Sequence, residues 1–201
     1  MTNQTVFGDK RNRGKLAAGA LIIICLILCG FGDNARALLR YDRAGLADGE
    51  IWRVFSGHLV HLGWTHAALN LGAFVLLTSL FARELRWTDW LLTGVLAALT
   101  ISLGLWFFDP ETSWYVGLSG VLHAWFLVGA LQTLRHAPRL GTVMLVGLTV
   151  KLLIEQSFGA MPTTIALNVG PVIVDAHLFG ALGGLGSAAA LWLVRRFNAQ
   201  L

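Results

Sequence analysis

Ser119 and His177 are the residues of this 201-residue chain whose types and neighbours most directly offer chemistry. A serine hydroxyl is a poor nucleophile until a base takes its proton, and histidine is the usual base. Ser119 stands in Gly117-Leu118-Ser119-Gly120, at the opening of an apolar run. Gly117 lets the chain turn tightly into a helix. Gly120 keeps the space above the hydroxyl open and lets a second backbone approach. A serine at a helix start also sits among unpaired backbone N–H groups, which favour a forming anion. His177 opens another apolar run, with Gly180 and Gly184 at i+3 and i+7 on its own helix face. Small residues on that face let two helices come close enough for a serine–histidine hydrogen bond. His66 and Asn70, at i and i+4 in a third run, can both donate to an oxyanion beside the N–H of Ser119. Preorganised donors of this kind contribute about 2.7–4 kcal/mol each.

Other polar residues also fall within apolar runs, where they are costly and by default point to function. His58, His61 and His123 join His66 and His177 in a rich set of nitrogen ligands. A polyhistidine metal-binding membrane protein or transporter is therefore the alternative from another class. Against it, His-Glu-x-x-His is absent, no intramembrane carboxylate is expected beside the histidines, and Gly-Leu-Ser-Gly would go unexplained. No metal and no organic cofactor are expected. Lys151 and Glu155, at i and i+4, read as an ion pair near the outer boundary with no part in the chemistry. Asp175, at i−2 from His177, points to another side of the helix and reads as a cap. His58 and His61 read as packing and loop-holding residues, and His136, beside Arg135, as interfacial. Cys25 and Cys29, one turn apart, read as small apolar packing residues.

The elements that must carry these residues follow from composition. Hydrophobic residues make up 56% of the chain and charged residues 13%, against roughly 25% charged in a soluble domain. That predicts an all-α integral membrane protein with one domain over 1–201. A span needs about 20 mostly apolar residues. Six candidates occur, at approximately 16–31, 57–81, 90–108, 118–134, 140–158 and 176–194. The first follows Lys10, Arg11, Arg13 and Lys15 and reads as an uncleaved helix. Between the first two spans, residues 32–56 mix charges with Leu38, Leu39, Leu46, Ile51, Trp52 and Phe55, which suits a partly helical interfacial element. The net charge of +4 does not signal nucleic acid, because the charges sit at the ends of the apolar runs. With the N-terminus inside, inner segments carry ten basic residues and outer segments five, so both termini are expected in the cytoplasm. Trp64, Trp114 and Trp125 are candidates to line the substrate's path.

With those residues assembled, the chain resembles the rhomboid intramembrane serine proteases. The resemblance is carried by His66-x-x-x-Asn70, Gly117-Leu118-Ser119-Gly120 and Ala176-His177-x-x-Gly180-x-x-x-Gly184, in that order on separate spans. Trp52-Arg53 in the first loop and His61 five residues before His66 match as well. The resemblance implies a six-helix rhomboid-like bundle and a Ser119–His177 dyad without an acid, with His66, Asn70 and the Ser119 N–H as the oxyanion site. Four residues after the serine, where such proteases commonly have tyrosine, this chain has His123. In that it is similar to the rhombosortase subfamily, although Ala124 follows where that subfamily usually has glycine. The likeness implies membrane-anchored protein substrates with C-terminal Gly-Gly sorting helices. It also implies a bacterial inner-membrane location with the site facing the periplasm. A general rhomboid protease of broader membrane substrates is the nearer alternative. An inactive rhomboid-like chaperone would be expected to lack the serine or the histidine, and both are present.

Overall fold

The computed structural model describes residues 3–162, 167 and 170–198, with side chains described from Gly14 onward. The side chains of Lys10, Arg11 and Arg13 lie outside the described residues. The chain is mostly helical. Helix α1 (Asn3–Gly30) is followed by α2 (Gly32–Leu39), a two-residue strand β1 (Tyr41–Asp42), and short helices α3 (Arg43–Ala47) and α4 (Arg53–Ser56). Then come α5 (Trp64–Leu80), α6 (Trp87–Phe108), strand β2 (Trp114–Tyr115), α7 (Ser119–Thr133), α8 (Pro138–Phe158) and α9 (Val174–Asn198).

Helices α6, α8 and α9 are each long and apolar enough to cross a membrane. Residues 14–30 of α1 join them only if counted together with α2, from which they are bent by 111°. The expected second span divides. Residues 57–63 are apolar but lie in turns, and only Trp64–Leu80 is helical. The long loop expected between the first two spans is α2, β1, α3 and α4, with Leu38, Ile51, Trp52 and Phe55 exposed.

Helix α7 is the central element. Its buried residues run around its circumference, from Gly120, Val121 and Leu122 to Gln132 and Thr133. A helix apolar and buried on all sides is a core helix. Helix α9 packs chiefly on α6 and α7, and glycine makes the approach possible. A Cβ on Gly180 would collide with the Gly120 carbonyl oxygen, and one on Gly120 would lie 2.6 Å from the Ala176 carbonyl oxygen. One on Gly184 would lie 3.0 Å from Ala124 Cα.

The segment after α1 is bound to the core by arginines that satisfy helix-end carbonyls. Arg43 donates to the carbonyls of Leu105 (2.6 Å), Trp106 (2.9 Å) and Asp109 (3.0 Å) at the end of α6. The buried Arg53 donates to Ala37 (3.1 Å) and Arg40 (2.9 Å) at the end of α2 and pairs with Glu50. Strands β1 and β2 pair antiparallel, Tyr41 opposite Tyr115. The Gly117 N–H donates to the Gly57 carbonyl at 3.0 Å. These bonds fix the non-helical stretch that delivers Ser119.

Candidate active site

Ser119 is the first residue of α7 and follows a sharp turn at Gly117, whose φ is +117°. Few L-residues adopt that conformation. A Cβ there would also lie 2.8 Å from His66 Cε1 and 2.9 Å from its Nε2. Gly117 thus serves both the turn and the close approach of His66. The Tyr115 hydroxyl donates to the Gly117 carbonyl at 2.7 Å and steadies the same turn. No motif in the sequence signalled that tyrosine.

His177, in the first turn of α9, is buried, and its Nε2 lies 3.0 Å from Ser119 Oγ. Sequence spacing anticipated this meeting of α7 and α9, and the three glycine contacts hold it. His66 and Asn70 share one face of α5 and line the same cavity as Ser119 and His177, a space of about 830 Å³. The Leu62 N–H donates to His66 Nδ1 at 3.4 Å, which leaves Nε2 to carry the ring proton as a donor. Asn70 Nδ2 donates one hydrogen to the His66 carbonyl at 3.1 Å and keeps a second free to donate.

His123, one turn after Ser119, stacks on His177 with ring centroids 4.3 Å apart and planes 19° apart. Its Nδ1–H donates to the Ser119 carbonyl at 2.7 Å. Its Nε2 faces Lys151 Nζ at 2.9 Å. Lys151 also reaches Glu155 Oε2 at 2.6 Å, as the i, i+4 spacing predicted.

The same Glu155 oxygen lies 3.0 Å from His177 Nδ1, and Glu155 is buried. This corrects two expectations. A carboxylate does accompany the histidines, and Lys151 with Glu155 is part of the histidine cluster rather than a separate ion pair. The sequence displayed an ionisable residue within a span but not the direction it faces. One ligand atom each from His123, Glu155 and His177 lie within 4.8 Å of one another, a set with the makings of a metal site. The Lys151 ammonium bonds to two of the three and so stands where a cation would.

The remaining histidines are elsewhere. His58 Nε2 donates to the Ala98 carbonyl at 3.2 Å. His61 is buried, edge-on to the His66 ring, and its carbonyl accepts from Arg36 at 3.3 Å. His136, just past the end of α7 opposite Ser119, pairs with Glu84 at 3.3 Å. Asp175 lies inside the first turn of α9 rather than at its cap. Of the three tryptophans, Trp114 lines the cavity. Trp125 is a core residue against Phe74 and Trp90, with its Nε1–H on the Trp90 carbonyl at 2.8 Å. Trp64 is exposed and is not among the lining residues.

Residues 48–194 match the Rhomboid domain family. The rhomboid protease GluP of Bacillus subtilis (strain 168) is 25% identical over 181 residues, 89% of this chain and 34% of that protein. The rhomboid protease GlpG of Haemophilus influenzae is 30% identical over 116 residues, 53% of this chain and 59% of that protein. The chain thus spans about a third of the first relative's length and under two thirds of the second's.

Proposed function

Because the chain belongs to the Rhomboid domain family, we propose that it is an intramembrane serine endopeptidase that hydrolyses a peptide bond in or near a substrate's transmembrane helix. The observation that carries this reading is the 3.0 Å contact between Ser119 Oγ and His177 Nε2 on a shared cavity with His66 and Asn70. Ser119 attacks the scissile carbonyl as its proton passes to His177 Nε2. Negative charge develops on the carbonyl oxygen, and the Ser119 N–H, His66 Nε2–H and Asn70 Nδ2–H are the donors offered to it. The imidazolium then protonates the departing amine, and water, activated by the same histidine, releases the acyl group.

The chemistry requires local unwinding of the substrate, because a helical peptide bond is shielded by its own hydrogen bonds. Gly and Ala near the cleaved bond suit the site for different reasons. Gly lowers the cost of unwinding, and both leave room beside Ser119. The rhombosortase reading narrows the substrates to proteins with a C-terminal Gly-Gly motif, an apolar helix and a basic tail. His123 in place of the usual tyrosine supports it, and its stacking on His177 gives that residue a place in the site.

The proposal includes six crossings, by α1, α5, α6, α7, α8 and α9, within one domain. Both termini are cytoplasmic and the cavity faces the outer side of a bacterial inner membrane. At about 1.5 Å per residue, α7 spans roughly 22 Å and falls short of a hydrocarbon layer of about 30 Å. Its start, with Ser119, would then lie below the membrane surface. The non-helical stretch before it is tolerable there because its backbone is bonded within the protein.

Ser119→Ala and His177→Ala should each abolish cleavage of a co-expressed Gly-Gly-tailed substrate while the protein still inserts. A fluorophosphonate should label Ser119 in the folded wild type. An active Ser119→Ala variant sinks the mechanism.

A further inference from the structure

Two ring nitrogens face His177's neighbours, and only one of them is used by the serine. The other, Nδ1, points at the buried Glu155 carboxylate at 3.0 Å. A carboxylate only accepts, so Nδ1 must carry the proton. Nε2 is then bare and oriented to take the proton of Ser119 Oγ. The surrounding bonds repeat the constraint. His123 Nδ1 meets a carbonyl and must donate, so His123 Nε2 accepts from the Lys151 ammonium. Lys151 spends a second hydrogen on Glu155. Each contact in the series Ser119–His177–Glu155–Lys151–His123–Ser119 therefore has one donor and one acceptor, and the series closes on the nucleophile's own backbone.

We propose that Glu155 is the positioning residue of the active site, holding His177 in the Nδ1–H tautomer and balancing the imidazolium that forms, with Lys151 and His123 fixing Glu155 and the ring stack. The inference rests on the serine-protease reading and extends its dyad by a carboxylate from α8. The proton of Ser119 moves to His177 Nε2 as the Oγ–C bond forms. Nδ1 keeps its own proton, and Glu155 remains ionised throughout. When the C–N bond breaks, the Nε2 proton leaves with the amine. In the resting state the half-buried Lys151 balances the charge of the buried Glu155, so the cluster holds no net charge beside neutral imidazoles.

Glu155→Gln tests this with almost no change in volume. The amide oxygen can still accept from His177 Nδ1 and Lys151, so what is lost is the negative charge that balances the imidazolium; the amide can also turn its NH2 toward Nδ1 and select the wrong tautomer. The expected result is a fall in kcat of about 100-fold or more with KM nearly unchanged, by analogy with loss of a triad carboxylate. The rate of fluorophosphonate labelling at Ser119 should fall in parallel and needs no cognate substrate. Glu155→Asp, which restores the charge, should recover part of the rate. Lys151→Met leaves the Glu155–His177 bond in place and should cost less than Glu155→Gln. If Glu155 only anchored Lys151, the two variants would lose activity equally. A measurement on the wild type avoids any folding defect. With ¹⁵N-labelled histidine, His177 should show the neutral tautomer protonated at Nδ1, and a resting Nε2–H tautomer overturns the proposal. Wild-type kcat in Glu155→Gln with an inactive Ser119→Ala overturns the positioning role and leaves the serine mechanism standing. Full activity of Ser119→Ala removes both.

Discussion

The proposed oxyanion donors depend on how His66 and Asn70 spend their hydrogens. His66 accepts at Nδ1 from the Leu62 N–H, so its remaining nitrogen is a committed donor and needs no proton from solvent to act. Asn70 uses one amide hydrogen on the His66 carbonyl, and that bond also fixes the direction of the other. Removing either donor should therefore lower kcat by about 10²–10³-fold with little change in KM, as for other preorganised oxyanion donors. Asn70→Ala is the cleaner test, because His66→Ala also opens space beside Gly117. A rise in KM with kcat unchanged would instead assign the pair to substrate binding. At this scale Ser119 and His177 were legible in the sequence because glycines mark both sides of their meeting. Glu155 was not, because Lys151 at i−4 offered it a local partner. Helical spacing alone does not say that one carboxylate oxygen serves two residues.

Between elements, the α7–α9 contact sets the distance between Ser119 and His177, over which the proposed reaction moves a proton. At Gly180, any Cβ meets the Gly120 backbone, which cannot give way as a flexible side chain would. Gly180→Ala should therefore force the helices apart near His177. Overpacking of this kind typically costs about 1–3 kcal/mol, to be read as a lower Tm in detergent, and activity should fall further than stability. Gly186, where a Cβ meets nothing within 4 Å, is the control: Gly186→Ala should leave both measurements close to wild type. Equal behaviour of the two variants would mean that α7 and α9 are not held at glycine contact. The helices themselves were largely legible from hydropathy, with α6, α8 and α9 close to their expected bounds. The exception, residues 57–63, is instructive. Gly57, His58, Val60 and His61 are buried, so the segment reads as apolar. Its backbone is held by turns and by the Gly57–Gly117 bond instead of by a helix. Hydropathy reports burial, and burial does not choose between a helix and a bonded loop.

Contacts among helix ends tie the whole molecule to one topology. Gly14 of α1 lies beside Trp87, where α6 begins. Arg195, near the end of α9, bonds to Asp89 on α6 at 2.7 Å and to Gln132 near the end of α7 at 3.0 Å. Glu84, after α5, meets His136, before α8. These contacts gather the start of α6, the ends of α7 and α9 and the early part of α1 at one end of the bundle. Arg43, the β1–β2 pair, Ser119 and His177 fall at the other. The proposed even number of crossings fits such an arrangement, and the proposed orientation rests on the distribution of basic residues. The test is accessibility in intact bacterial cells, using a chain in which the buried Cys25 and Cys29 are replaced by alanine. Cysteine introduced at the exposed Ile51, on the Ser119 side, should react with a membrane-impermeant maleimide. Cysteine at the exposed Arg139, where α8 begins, should react only after the membrane is opened. The reverse pattern would invert the orientation and place the cavity toward the cytoplasm. Labelling at both positions in intact cells would contradict the bundle's crossing of the membrane between its two ends, and with it the reading of Ser119 as a nucleophile set below an outer membrane surface.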